Sequence, residues 1–127
     1  MRNIFSAIIM FFSSFGSTQA LNKVSVSSKE ASALLLKETA IVVLDVRTSD
    51  EFKQGHLKGA VNIDILKSNA TTKLDSLNHE TTYLVYCRSG HRSGMAVKQM
   101  VKSKFKMVYE MKDGFMGWTG NKLPVVK

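Results

Sequence analysis

Cysteine, proline and tryptophan each occur once in the 127 residues. The shortage of cysteine excludes most: one thiol cannot close a disulfide within its own chain, so Cys87 is either an inert buried side chain or a reactive one. No cysteine follows the apolar stretch near the N-terminus, so a lipid-modified N-terminus has nothing to attach to. The formal net charge is +8, yet the lysines are scattered from Lys23 to Lys127 with no dense run and no interleaved aromatics, and nucleic acid is not an expected partner. The seven methionines show no clustering of the kind that binds copper. Internal repeats, linkers and low-complexity segments are missing after residue 20. What is present, 44% hydrophobic and 22% charged residues, is the composition of a soluble globular chain of one domain.

The first twenty residues stand apart. Arg2, the apolar run Ile4 to Phe12 and the small residues Thr18 and Ala20 predict a secretory leader cleaved after Ala20, hence a periplasmic or secreted protein with a mature domain of residues 21–127. The apolar run is too short to span a bilayer comfortably, so no stable membrane insertion is expected once the leader is gone. The competing reading is a buried or membrane-resting N-terminal helix.

From residue 22 onward, short strands and helices alternate. Val24 to Val26 predicts a strand, and Ser27 and Glu30 form a capping-box pattern ahead of a helix over 28–37. Ile41 to Leu44 predicts a central strand ending at Asp45-Val46-Arg47. Thr48 and Glu51 repeat the capping box for a short helical turn, and Val61 to Ile63 predicts a small strand. Residues 64–77 are expected to form one or two short helices with Leu66, Leu74 and Leu77 inward. Strand formers Thr82 to Tyr86 lead to Cys87, and the run Arg88 to Gly94, too polar and glycine-rich to bury, precedes a helix ending near Lys104. A last strand over 107–111 and a short helix carrying Phe115 and Trp118 into the core complete the domain. Such alternation predicts an α/β fold: a mainly parallel central sheet of about five strands with helices on both faces and its site beyond the carboxyl ends of the strands.

Cys87 and Asp45 both occupy such ends. A thiol at a strand end, facing the start of a helix and flanked by Arg88 and Arg92, has backbone N–H groups and positive charge to hold its anion. Gly90 lets the loop turn without a side-chain clash. His91 either tunes the sulfur or is simply exposed. Asp45 could orient the loop or hold a polar group near the sulfur, and Arg47 with Glu51 sits at a spacing that allows pairing across one turn; the competing reading is a buried structural ion pair that fixes the strand-to-helix corner. His56 reads as a hydrogen-bonded structural residue.

The segment Cys87-Arg88-Ser89-Gly90-His91-Arg92-Ser93 resembles the active loop of rhodanese domains, thiosulfate sulfurtransferases and related persulfide carriers. Leu44-Asp45-Val46-Arg47, Glu51-Phe52, Gly55 to Asn62, and Gly114 with Trp118 ahead of Leu123-Pro124-Val125 agree with the same family in order and spacing. The resemblance covers nearly all of residues 22–127. It implies a rhodanese-like fold, a Cys87 nucleophile that takes the outer sulfur of thiosulfate and passes it to cyanide or a thiol, a persulfide held by residues 88–92, and no metal or organic cofactor. Arg88 and Arg92 would neutralise the anionic substrate, with Asp45 and Arg47 in support. A monomer is expected, because a dimer through Cys87 would block the loop. A noncatalytic sulfur carrier or protein-binding module is the alternative. Cysteine phosphatases and arsenate reductases fit less well: a Cys-x5-Arg loop would put arginine at position 93, where this chain has Ser93. Asp113-Gly114 stands where many members of the family have paired glycines.

Overall fold

Residues 22–127 are described by a computed structural model, and the leader expected over residues 1–20 lies outside the described residues. Five strands, β1 (Lys23–Val26), β2 (Val42–Asp45), β3 (Val61–Asn62), β4 (Thr82–Tyr86) and β5 (Met107–Met111), alternate with helices α1 (Ser28–Lys37), α2 (Ser49–Lys53), α3 (Ala70–Asp75), α4 (His91–Lys102) and α5 (Gly114–Gly120). The sheet runs in the order β1-β5-β4-β2-β3, and every pairing is parallel. β4 lies at the centre, so Cys87, the residue after it, emerges mid-sheet.

The period of two along β4 divides the core. Tyr83 and Val85 point to the same side as Cys87 and meet Leu74 of α3 and Ala96, Val97 and Met100 of α4. Leu84 and Tyr86 point the other way, toward Ala31 of α1 and Trp118 of α5. Both faces are therefore covered, which is why β2 and β4 read as continuous apolar runs.

Local chemistry fixes the helix starts. Ser27 Oγ accepts from Glu30 N while Glu30 Oε1 accepts from Ser27 N, and Thr48 and Glu51 do the same for α2. Among the described residues, no helix is long and apolar enough to cross a membrane.

Residues 64–77 hold one helix, α3, of the one or two expected, and α4 ends at Lys102, close to the expected Lys104, which has φ +65°. Three expectations need correction. Leu66 points outward; Asp64 Oδ1 accepts from Leu66 N and turns the chain before an inward face can form. The polar run after Cys87 is not wholly exposed: α4 begins at His91, and Ser93 is fully buried, its hydroxyl donating to Gly90 O. Phe115 is only half-buried: it packs against the core beside Tyr86 and also covers the Arg47 guanidinium.

Candidate active site

β4 delivers Cys87 to the point where the chain turns into α4. Gly90 N donates to Cys87 Sγ at 3.1 Å, and Ser93 Oγ lies 3.5 Å from the same sulfur. Gly90 has φ +108°, and a Cβ there would overlap Lys112 O; only glycine allows this turn to close over the sulfur. The twelve-residue α4 then directs the positive end of its dipole toward Cys87. Burial opposes ionisation of this thiol, but hydrogen bonds from the Ser93 hydroxyl and from the amides of Ser93, Gly90 and Ser89 outweigh it and hold the thiol below its ordinary value.

The outer side of the loop is fastened by α5. Phe115 N donates to Cys87 O at 2.8 Å and Met116 N to Arg88 O at 3.0 Å. So close an approach requires Gly114, whose φ is +64° and whose Cβ would strike Arg88 O. Asp113, in place of a family glycine, leaves this turn intact. Its Oδ2 accepts from Ser28 Oγ at 2.9 Å, which ties α5 to α1.

The predicted site residues separate into two groups. Cys87, Arg88, Ser89, Gly90, His91 and Arg92 come together in the loop and the first turn of α4, with Arg88, Ser89 and His91 exposed. Asp45 and Arg47 form a second, buried group: Arg47 N and Nε donate to Asp45 Oδ1 and Nη2 donates to Oδ2 at 2.7 Å. Arg47 Nη2 also donates to Gly55 O, and Phe115 stacks 4.2 Å from the guanidinium carbon. Burial works against the Arg47 charge, and Asp45 more than offsets it, so the guanidinium is held above its ordinary value. Asp45 is thus occupied as a structural acceptor and does not reach the loop.

Glu51 does not pair with Arg47. Its carboxylate takes both Nη1 and Nη2 of Arg92, at 2.7 and 3.0 Å, and the hydrogen bonds from Arg92, against a smaller burial penalty, lower its pKa to about 2. The positive charge of Arg92 is already compensated, so the expectation that Arg88 and Arg92 share the neutralisation of an anion shifts toward Arg88. Arg88 pairs with no acid among the described residues.

Two contributors had not been expected. Tyr86 OH donates to Asp45 Oδ2 at 2.6 Å and accepts from Leu57 N at 3.1 Å; burial, then Asp45, pushes its pKa far up. Its hydroxyl among the apolar residues of β4 was the available signal, since a buried phenol needs a partner. Glu51 as the partner of Arg92 left no local signal. His56 is structural: its ring stacks on Phe52 and Nδ1 donates to Phe52 O at 2.8 Å.

A family model for the rhodanese-like domain matches residues 27–121. The chain belongs to the rhodanese-like domain family. Among curated rhodanese-like relatives, thiosulfate sulfurtransferase 18 of Arabidopsis thaliana is 32% identical over 121 residues, which cover 86% of this chain and 88% of that protein. The uncharacterized protein YibN of Escherichia coli K12 is 33% identical over 100 residues, covering 77% and 68% respectively. Among solved structures, a rhodanese-related protein from Thermoplasma volcanium superposes with a TM-score of 0.71 at 28% identity, over 81% of this chain and 97% of that one. The rhodanese-like fold accounts for the parallel sheet and for the loop at the end of its central strand.

Proposed function

We propose that this rhodanese-like protein is a sulfurtransferase that moves sulfane sulfur from thiosulfate, or a similar donor, through a persulfide on Cys87 to cyanide or a thiol. The supporting observation is the Gly90 amide donating to Cys87 Sγ at the start of α4, an arrangement that stabilises a sulfur anion. In the first step the Cys87 thiolate forms a bond to the outer sulfur of thiosulfate; the S–S bond of thiosulfate breaks and sulfite leaves with its electron pair. In the second, the acceptor bonds to the outer sulfur of the persulfide, and the electron pair of the broken S–S bond returns to Cys87 Sγ. Charge and oxidation equivalents balance in both steps. Arg88 attracts the anionic donor, and the loop amides hold the persulfide and stabilise Cys87 as leaving group.

Kinetics with thiosulfate and cyanide test this reading. Thiocyanate is expected from the wild type and not from Cys87→Ser, and a wild type that makes none while still accepting sulfur is a carrier instead. The carrier reading is favoured by one observation, the engagement of Arg92 with Glu51, which leaves less free positive charge for a dianionic donor. We further propose that residues 1–20 direct export and are removed, on the strength of Arg2, the apolar run and Ala20. N-terminal sequencing of the protein recovered from its native compartment should begin after Ala20, and an intact Met1 would refute this.

A further inference from the structure

Asp113 stands at the start of α5, where an aspartate ordinarily caps its helix by accepting from the second or third amide. Here its side chain accepts from neither. Those two amides, Phe115 N and Met116 N, donate instead to Cys87 O at 2.8 Å and Arg88 O at 3.0 Å. In a trans peptide the N–H points away from the preceding C=O, so fastening these carbonyls to α5 turns the N–H groups of Arg88 and Ser89 to the opposite side of the loop. The Ser89 amide is one of those that hold the Cys87 anion.

A seat against α1 keeps the Asp113 carboxylate away from its own helix. Oδ2 accepts from Ser28 Oγ at 2.9 Å, and Ser28, fully buried, accepts in turn from Asn121 Nδ2 at 2.8 Å. Asp113, Gly117 and Asn121 follow one another at intervals of one helical turn along one side of α5. The missing side chain at Gly117 makes the room, since a Cβ there would strike the carboxylate. The other oxygen, Asp113 Oδ1, is buried without a partner. Ser28 is therefore the one side-chain donor that holds this carboxylate.

We propose that Ser28 and Gly117 are positioning residues for the Cys87 loop: they seat the Asp113 carboxylate against α1, stop it from capping α5, and so leave the amides of Phe115 and Met116 to Cys87 O and Arg88 O. Asp113 is held in the helical region, at φ −89° and ψ −4°, rather than in the extended conformation of a capping residue. Once unseated, it is free to rotate into that conformation, and a charged carboxylate is a stronger acceptor than a carbonyl. It then takes the two amides from the loop. The loop peptides lose their orientation, and the sulfur anion loses donors. The proposal rests on Cys87 as the reacting group and names what sets the geometry around it.

Alkylation of Cys87 by iodoacetamide against pH reads the loop directly and needs no sulfur donor. Ser28→Ala and Gly117→Ala should each raise the midpoint by about half a pH unit and slow the reaction below it about threefold, a part of what one hydrogen bond contributes. Asp113→Ala alone should leave the midpoint in place. Added to either variant, it removes the competing acceptor, so both double variants should return to the wild-type midpoint. A merely structural role gives a different pattern. Single variants that unfold at lower urea with the midpoint unmoved, or double variants no nearer to wild type than the singles, would overturn the proposal. So would a lower midpoint in Asp113→Ala alone, which would mean that the aspartate acts on the sulfur through its charge. Thiosulfate loading is followed separately by intact mass: a protein that shows the alkylation shifts and takes up no sulfur would overturn the sulfurtransferase reading and support the positioning one.

Discussion

The hydroxyl proton of Ser93 has two acceptors within reach, Gly90 O at 3.1 Å and Cys87 Sγ at 3.5 Å. While the sulfur is protonated, Ser93 donates to the carbonyl; once the sulfur ionises, rotation of the hydroxyl lets it donate to the anion. Ser93→Ala removes that donor, so the midpoint of Cys87 alkylation by iodoacetamide against pH should move upward and the rate at neutral pH should fall several-fold. The sign follows from the lowered thiol pKa: the reactive thiolate is present at a lower pH in the folded protein than in an unstructured peptide, and the variant gives part of that window back. An unchanged profile would show that the amides alone set the ionisation. Tyr86 makes the same argument in the core. Tyr86→Phe deprives both Asp45 Oδ2 and Leu57 N of a partner, and unfolding in urea should show a loss of about 2 kcal/mol. The lone cysteine and its polar neighbours were readable from sequence because they are contiguous. Ser93's burial was not, because a serine is polar by composition and becomes satisfied only when a carbonyl is brought to it.

Between elements, Glu51 joins α2 to the first turn of α4 across 41 positions of sequence. The same carboxylate also closes the cap of α2, so one side chain fixes both the corner after β2 and the helix that faces the sulfur. Its folded pKa, about 2, lies below the usual carboxylate value of 4.5. The stability it contributes is therefore fully present above pH 4.5 and lost as pH falls toward 2. Glu51→Gln should cost about 1 kcal/mol at neutral pH, discounted for the partial exposure of the pair, and should flatten the pH dependence of thermal unfolding in that acid window; a parallel curve would contradict the assignment. Gly114→Ala should be more damaging, ~2 kcal/mol or more, because it combines a left-handed backbone with a collision against Arg88 O. The capping boxes were legible residue by residue, since all their atoms lie within three positions. The Arg92 pairing was not, because spacing along the chain favoured Arg47 for Glu51, whereas Asp45 was the nearer and better-oriented partner for that guanidinium.

Across the whole molecule, the parallel sheet between two helical layers brings the ends of β2 and β4 to one edge, and the loop after β4 inherits its position from that order. Alternation of apolar strands and amphipathic helices was enough to foresee this architecture. It could not foresee the outward turn of Leu66, set by one aspartate oxygen, or the seat of Asp113 against Ser28, which exists only once α1 and α5 have been placed. The central claim is that Cys87 carries transferable sulfur. Intact-mass analysis of the protein after incubation with thiosulfate, with the adduct mapped to its peptide, tests it most directly. A gain of one sulfur atom on Cys87, discharged by cyanide and lacking in Cys87→Ser, is predicted; an unchanged mass, or an adduct that persists in Cys87→Ser, would contradict it.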